Sequence, residues 1–297
     1  MSRKNRRQEE DPRATTQGEI TEDAGAAALA AAQAPMLAVE NAEFPQRRRT
    51  WQPLWSELLA GLEWAALKVS PVYYGVGVPQ GDGAPIILVP GFLGSDLSLL
   101  ELHLWLGRMG YRSYSSGIGL NADCPDVLLE RLCDTIARVY RETGRKVRLI
   151  GHSQGGLLAQ AAAVRMPERV AQLITMGTPS RRPSAHPMVL RLMKRVLRRR
   201  RETPRSCMRM FFAALRECMP ASVARVSVYS KADAVVDWRD CVGVDGVVNI
   251  QVSGTHIGMS FNPQVYREIA GLLASHQDIE EPLSTGPLRE PDLALAA

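Results

Sequence analysis

Residues 146–166 read KVRLIGHSQGGLLAQAAAVRM. The apolar run that ends at Ile150 predicts a buried strand, and the small residues from Gly155 onward predict a helix. Between them, Gly151 and Gly155 flank Ser153 in a G-x-S-x-G pattern. The pattern is typical of a sharp strand-to-helix turn, in which the glycines avoid backbone clashes and the serine hydroxyl points out of the sheet. The alternative is an ordinary tight turn whose serine only caps the helix.

Strand and helix patterns alternate on both sides of this turn. Strands are predicted at 85–90, 111–116, 146–150, 170–176, 225–230 and 247–253, and helices at 97–109, 126–142, 155–166 and 263–275. Such alternation needs crossover connections, so it predicts the α/β class with a mostly parallel central sheet flanked by helices. Arginine-rich helical sequence interrupts the alternation, and we interpret it as a helical cap inserted at about 181–222 over the C-terminal edge of the sheet.

The two ends of the chain differ in composition from the middle. Residues 1–50 are polar, rich in alanine and interrupted by prolines, so we expect a disordered N-terminal extension before a folded domain at 51–280. We expect a flexible tail at 281–297. Residues 51–69 predict a helix with one apolar face, formed by Trp51, Leu54, Trp55, Leu58, Leu59, Leu62 and Leu67. We expect this face to pack on the domain; the alternative is an amphipathic helix at a membrane surface.

Charge and cysteine content limit the class of protein. The formal net charge is +5, but residues 181–209 alone hold ten arginines, one lysine and one glutamate, so the rest of the chain is net acidic. The five cysteines form no CxxC pair, which argues against a zinc site, and their odd number argues against a disulfide framework. No apolar run is long enough for a transmembrane helix, and no apolar segment follows the basic N-terminus as in a signal peptide. We therefore expect a cytoplasmic protein.

A nucleophilic serine needs a base and an acid that orients the base. Where a G-x-S-x-G turn carries a triad, the order along the chain is serine, acid, histidine. His256 is the predicted base, because it follows the acid candidates and lies in a Gly/Ser/Thr loop directly after a strand. Asp233 is the predicted acid, because it follows the strand at 225–230 after two residues. Asp237 is the alternative acid; with Asp240 it is expected to form surface ion pairs.

A tetrahedral intermediate at Ser153 needs two backbone N–H donors to stabilise its oxyanion. One is the amide of Gln154, the residue after the nucleophile. The other should come from the loop after the strand at 85–90, where Phe92 is the first choice and Leu93 the second. The alternative is an ordinary glycine turn.

Taken together, five motifs resemble those of the bacterial lipases and esterases of the α/β-hydrolase superfamily: VPGFLG at 89–94, GHSQGG at 151–156, TP at 178–179, YSKAD at 229–233 and GTHIG at 254–258. The resemblance covers about residues 85–275 and implies an α/β-hydrolase fold, a Ser153–Asp233–His256 triad and hydrolysis of carboxylic ester or lipid substrates. It implies no organic cofactor and no metal. Many relatives carry His-Gly where this chain has Pro90-Gly91, and glycine where it has Ala234.

Three other functions compete with ester hydrolysis. An acyltransferase would use the same triad with an alcohol in place of water. A non-catalytic binding protein on a hydrolase scaffold would not need a complete triad. Nucleic-acid binding by the basic segment is not expected, because Phe211 and Phe212 are the only aromatic residues near it that could stack on bases.

The basic segment also suggests a lid. Val189, Leu192, Met193 and Val196 share one helical face, and the opposite face carries Arg191, Lys194, Arg195 and Arg198. The hypothesis is that the apolar face covers Ser153 while the basic face makes peripheral contact with an anionic membrane. The alternative is a helix pair packed on the domain with a solvated basic face.

Overall fold

The computed structural model describes residues 51–180, 184–199, 207–243 and 246–275. The predictions of disorder at 1–50 and of a flexible tail at 281–297 lie outside the described residues. The folded unit begins at Arg49.

The centre of this unit is a six-stranded parallel sheet in the order β2-β1-β3-β4-β5-β6. The strands are β1 (Pro85–Val89), β2 (Arg112–Ser115), β3 (Val147–His152), β4 (Val170–Met176), β5 (Ala224–Ser230) and β6 (Val247–Val252). Strands β1 and β4 are buried along their whole length, as expected for apolar runs covered on both faces. Because all strands run parallel, their carboxyl ends meet at one edge of the sheet.

Helices cover both faces of the sheet. They are α1 (Ala60–Val69), α2 (Leu100–Arg108), α3 (Pro125–Thr143), α4 (Gln154–Arg165), α5 (Pro187–Arg199), α6 (Arg209–Arg216), the short α7 (Trp238–Cys241) and α8 (Pro263–Ser275). One apolar core is built around Trp105, Leu106, Tyr266 and Ile269 of α2 and α8. A second, on the other face, joins α3, α4 and α6 around Leu132, Leu158 and Phe211. The predicted parallel sheet flanked by helices is confirmed.

The N-terminal helix does not pack in the way its apolar pattern predicts. The chain forms a 3-10 turn at Leu54–Leu59 that continues into α1. Trp55, Leu58 and Leu62 are exposed to 68%, 82% and 68%, whereas Glu57 is buried. The expectation that the whole apolar face packs on the domain is therefore wrong. The physical reason is that the buried carboxylate of Glu57 accepts backbone N–H groups of neighbouring loops, as described below.

Helices α5 and α6 lie between β4 and β5 in the chain. On α5, Val189, Met193 and Val196 are half-buried, but Leu192 is exposed together with the basic residues. Helix α6 is fastened to α3, because the Asp126 carboxylate accepts the backbone N–H groups of Met210 and Phe211.

A disulfide joins Cys124, just before α3, to Cys207, just before α6. The odd number of cysteines argued against a disulfide framework, and it did not predict this single bond. The two residues are 83 positions apart, so their pairing depends on how α3 and α6 pack and not on local spacing. Among the described residues, Cys133, Cys218 and Cys241 are free thiols.

In the part of the chain that the structure describes, no helix has the length and hydropathy of a transmembrane span.

Candidate active site

Ser153 lies in the turn between β3 and α4, at the carboxyl edge of the sheet. Its φ of 54° falls in a region that side chains with a Cβ seldom occupy. The turn is so tight that a Cβ on Gly151 would lie 2.5 Å from Cα of Gly156, and a Cβ on Gly155 would overlap the carbonyl oxygen of Val89. Glycine is therefore required at both positions, and the strained serine projects at the start of α4.

Two residues near the end of β4 hold the backbone of Ser153. Its N–H donates to the carbonyl oxygen of Met176 over 2.8 Å, and its carbonyl oxygen accepts a 2.9 Å bond from Oγ1 of Thr178. Met176 is the last residue of β4, and Thr178 lies in the loop that follows it. The position of the nucleophile candidate is thus held by the end of the neighbouring strand and by the loop after it.

Asp233 and His256 are joined by a hydrogen bond of 2.7 Å between Oδ2 and Nδ1. Both residues are buried. Because a carboxylate only accepts, Nδ1 carries the proton, and this leaves Nε2 of the neutral ring as an acceptor. Burial lowers the pKa of His256, but the charge and hydrogen bond of Asp233 and the charge of Glu57 outweigh burial and raise its pKa above 6.5.

His256 packs closely against Gly177, at the same edge of the sheet as Ser153. It directly follows Met176, which holds the Ser153 N–H, and a Cβ at Gly177 would lie 3.0 Å from Nδ1 of His256. Ser153, Asp233 and His256 follow β3, β5 and β6, so all three lie at the carboxyl edge of the sheet. The described hydrogen bonds join Asp233 to His256 but do not join His256 to Ser153.

The alternative acid, Asp237, serves as a helix cap. Its side chain accepts the backbone N–H of Arg239 at the start of α7 and forms an ion pair with the same residue. Asp240 is buried and accepts a hydrogen bond from Oγ of Ser184, so the expectation that it lies at the surface is wrong. Burial occurs because α7 folds back onto the chain that leaves β4.

His152, next to the nucleophile candidate, contacts His256. Its Nε2 lies 2.9 Å from the carbonyl oxygen of His256, and the two rings are 4.8 Å apart. The side chain therefore faces the predicted base. Burial and, secondarily, the charge of His256 lower the pKa of His152 to about 3. The ring is therefore neutral at physiological pH and donates through Nε2.

Hydrogen bonds in the loop after β1 distinguish the two candidates for the second oxyanion donor, Phe92 and Leu93. The N–H of Leu93 is used in a 2.9 Å bond to the carbonyl oxygen of Asn121. The described hydrogen bonds include none from the N–H of Phe92, so this geometry favours Phe92 over Leu93. Asn121 is fully buried and also donates from Nδ2 to the carbonyl oxygen of Pro90. Sequence analysis missed Asn121, whose site role depends on a contact 31 positions away.

Sequence analysis also missed two acids near His256. Glu57 contacts the loops that carry Asp233 and His256, and Glu63 of α1 contacts Thr255. The only signal in the sequence was that both acids interrupt an apolar helix pattern.

Within the described ranges, no group of three or more His, Cys, Asp or Glu side chains is arranged to hold a metal ion.

Parts of the chain are similar to known proteins. The family model of the PGAP1-like alpha/beta domain matches residues 126–241. A triacylglycerol lipase of Burkholderia plantarii is 33% identical over 132 residues, which cover 41% of this chain and 37% of that protein. A triacylglycerol lipase of Pseudarthrobacter phenanthrenivorans is 36% identical over 106 residues, which cover 33% of each chain. The chain thus spans little more than a third of these curated relatives.

Two solved structures share the fold. A metagenome-derived lipolytic enzyme superimposes with a TM-score of 0.51 at 16% identity, over 67% of this chain and 96% of that chain. The mature form of a Bacillus licheniformis lipase gives a TM-score of 0.51 at 17% identity, over 67% and 95%. The chain therefore has the α/β-hydrolase fold. The resemblance to bacterial lipases and esterases, first seen in its motifs, is confirmed by both kinds of comparison.

Proposed function

We propose that this protein hydrolyses carboxylic esters, with Ser153 as nucleophile, His256 as general base and Asp233 as the acid that orients it. The observation that carries the proposal is the buried 2.7 Å bond between Asp233 and His256 beside a serine in a strained strand-to-helix turn. A histidine held in this tautomer can remove the proton of a serine hydroxyl. The similarity to triacylglycerol lipases supports the same chemistry.

In acylation, Oγ of Ser153 attacks the ester carbonyl carbon while its proton passes to Nε2 of His256. The tetrahedral intermediate then breaks the bond to the alcohol oxygen, and His256 returns the proton to the leaving alcohol. In deacylation, His256 takes a proton from water, the hydroxide attacks the acyl carbon, and Ser153 regains its proton as the acid leaves. The N–H groups of Phe92 and Gln154 are proposed to stabilise the oxyanion in both steps.

A lipid ester is the substrate class we favour. Leu93, beside the proposed oxyanion donor, and Ile257, beside His256, are both exposed, and Leu97 on the same loop is exposed as well. Apolar side chains next to the reacting groups favour an acyl chain over a polar substituent. The relatives named triacylglycerol lipase support this class.

The activity is tested with p-nitrophenyl esters of increasing acyl length and with a fluorophosphonate probe. Wild-type protein should hydrolyse the esters and be labelled at Ser153. Ser153→Ala should lose both while keeping its circular dichroism spectrum, because the change removes one oxygen. Ser275→Ala, a surface serine, is the matched control. Labelling at another residue, or activity of Ser153→Ala, would refute the proposal, and product analysis with an added alcohol separates hydrolysis from acyl transfer.

We also propose that α5 brings the site to an anionic lipid surface. Arg191, Lys194, Arg195 and Arg198 are exposed on this helix, whose described residues include no acid. Met188 and Leu192 are exposed on the same helix beside these four cations. The helix starts at the acid loop, where the N–H of His186 donates to the carbonyl oxygen of Val235. A cationic helix with apolar side chains beside the proposed active site suits phosphate headgroups and the acyl chains below them.

Liposome co-sedimentation tests this membrane contact. Binding should require anionic lipid and weaken as salt rises. Arg195→Gln with Arg198→Gln should weaken binding, whereas Arg138→Gln with Arg141→Gln on α3 should leave it unchanged. Equal binding to neutral vesicles, or equal loss in both double variants, would reduce α5 to a cap without a membrane role.

The cytoplasmic location stays a prediction. The Cys124–Cys207 disulfide weighs against it, because structural disulfides are typical of oxidising compartments. Thiol trapping of the protein in intact cells, with Cys218 as an internal free-thiol reference, decides the matter: a reduced pair supports the cytoplasm and an oxidised pair contradicts it.

A further inference from the structure

A buried carboxylate joins the two loops that carry the proposed acid and base. Oε1 of Glu57 accepts the backbone N–H of Ala234 and that of His256, each over 3.1 Å. Its Oε2 accepts the N–H of Ile257 over 2.8 Å. Ala234 directly follows Asp233, so a single side chain fixes the backbone beside both members of the Asp233–His256 pair.

A second carboxylate of the same segment, Glu63, contacts Thr255, the residue before His256. Glu63 accepts the N–H of Thr255 through Oε1 and the hydroxyl of Thr255 through Oε2, over 2.8 and 2.9 Å. The Thr255 hydroxyl in turn accepts the N–H of Gly258. Residues 255–257 are thus held by two acids from the N-terminal segment.

These contacts identify what the N-terminal segment contributes. Its large apolar side chains Trp55, Leu58 and Leu62 are exposed, whereas its acids face the protein. Hydrogen bonds from N–H groups to a carboxylate are about twice as strong as neutral ones. Because Glu57 receives three of them in a buried position, its loss would leave three donors to find new partners.

We propose that Glu57 is a positioning residue of the active site, which holds the Asp233 and His256 loops in register through their backbone N–H groups. The inference rests on the proposed function, in which Asp233 and His256 act together. It extends the machinery to a segment that precedes the first strand of the sheet, and it requires that this segment be docked for full activity.

The charge of Glu57 also acts on the imidazole. The titratable groups around His256 are Asp233 from the β5 loop, His152 from the end of β3, and Glu57 and Glu63 from the N-terminal segment. His152 is neutral at physiological pH because its pKa is low. Burial lowers the pKa of His256, and the charge of Glu57 is one of the opposing influences that raise it. Removing that charge should therefore lower the pKa of His256.

The test compares Glu57→Gln with Glu101→Gln in the full chain. Glu101 is a matched control, because its carboxylate anchors the same helix through Lys68 and Trp64 but contacts neither catalytic loop. Glu57→Gln should slow fluorophosphonate labelling of Ser153 and lower kcat/KM about 10- to 100-fold, the range expected when reacting groups are displaced by about 1 Å. The acid limb, where the labelling rate and kcat/KM fall as His256 becomes protonated, should move to lower pH in both pH profiles. Glu101→Gln should leave the limb in place.

Glu57→Asp covers the case in which the amide variant fails to fold. It keeps the charge but is one methylene shorter, so the acid limb should stay in place while the rate falls. If Glu57→Asp or Glu57→Gln folds and has the wild-type kcat/KM and the wild-type acid limb, the proposal is overturned. The two proposals can fail separately. If wild-type protein hydrolyses no ester, the proposed function fails. An NMR titration of the His256 ring needs no substrate, and an unshifted His256 pKa in Glu57→Gln would overturn the role of Glu57.

Discussion

The two carboxylate oxygens of Asp233 accept hydrogen bonds from different donors, and this makes its role testable. Oδ2 receives the His256 ring, while Oδ1 accepts the N–H groups of Val235 and Val236. In Asp233→Asn the amide oxygen would keep the backbone bonds, so its NH₂ group would face Nδ1 of His256. That arrangement favours the tautomer with the proton on Nε2, which cannot accept the proton of Ser153.

Asp233→Asn should therefore lower kcat on the order of 10⁴-fold, as the equivalent change does in a serine-protease triad. Asp237→Asn should have little effect, because asparagine caps a helix as well as aspartate does. Steady-state kinetics of both variants on one ester measure this difference. The reverse order of effects would assign the acid to Asp237.

The raised pKa of His256 sets the acid limb of the reaction. Asp233 and Glu57 raise it above 6.5 against the lowering effect of burial. The base must be neutral to accept a proton, so activity should be complete above this pKa and be lost as the pH falls through it. The pH dependence of kcat/KM measures the limb directly, and an apparent pKa well below 6.5 would contradict the assigned environment.

At the scale of elements, the cap is tied to the domain by a covalent bond as well as by packing. Cys124–Cys207 closes a loop that contains α3, β3, α4, β4 and α5. A cross-link of this span restricts the unfolded chain, so replacing both cysteines by alanine should cost about 2–5 kcal/mol of unfolding free energy. Thermal unfolding with and without reductant measures it. Cys218→Ala, an exposed free thiol, is the control, and equal stability of the double variant would show that the bond contributes nothing.

For the N-terminal segment, the helical pattern predicted the helix but not its orientation. Periodicity correctly predicted a helix near 51–69 but not which side faces the protein. An apolar stripe normally marks the buried face because burial of apolar area stabilises the fold. Here the hydrogen bonds of Glu57 and Glu63 determine the orientation, and the partners of these acids lie almost 200 positions away in the chain.

For the whole molecule, the Asp82 carboxylate links the loop before β1 to the sheet. It bonds Arg145 over 2.8 Å and lies 3.5 Å from Arg148, a fully buried residue of β3. Burial raises its pKa, but the bonds from Arg145 and the Ala84 amide and the charges of both arginines lower it overall. A depressed pKa stabilises the fold above the unfolded-state pKa, and this stability is lost as the pH falls through the folded-state value.

Asp82→Asn should therefore lower the unfolding free energy at pH 7 by about 0.5–1 kcal/mol, because Asp82 is an exposed residue and solvent screens its ion pairs. The difference from wild type should begin to shrink below about pH 4, the unfolded-state value, and should be lost only when the pH falls through the lower folded-state pKa. Urea unfolding at both pH values measures the two differences. Asp134→Asn, on the exposed side of α3, should be neutral at both, and a loss that does not depend on pH would refute the electrostatic explanation.

Most of the architecture follows from local sequence. Alternating strand and helix patterns predicted the parallel sheet, and the predicted bounds at 170–176 and 263–275 agree with β4 and α8. The strand–Ser153–helix turn was predictable because Gly151 and Gly155 are needed within a few residues of it. Chain order alone selected Asp233 and His256 for contact, and the two are bonded.

Other features were decided only when distant segments met. The ring of His152 turned toward His256, Cys124 met Cys207, Asn121 reached Pro90, and Glu57 reached the backbone of the acid and base loops. Local periodicity carries no information about such contacts, because it reports the conformation of one segment and not its neighbours. Their residues are ordinary acids, amides and thiols, whose roles come from burial beside a particular backbone group in the folded chain.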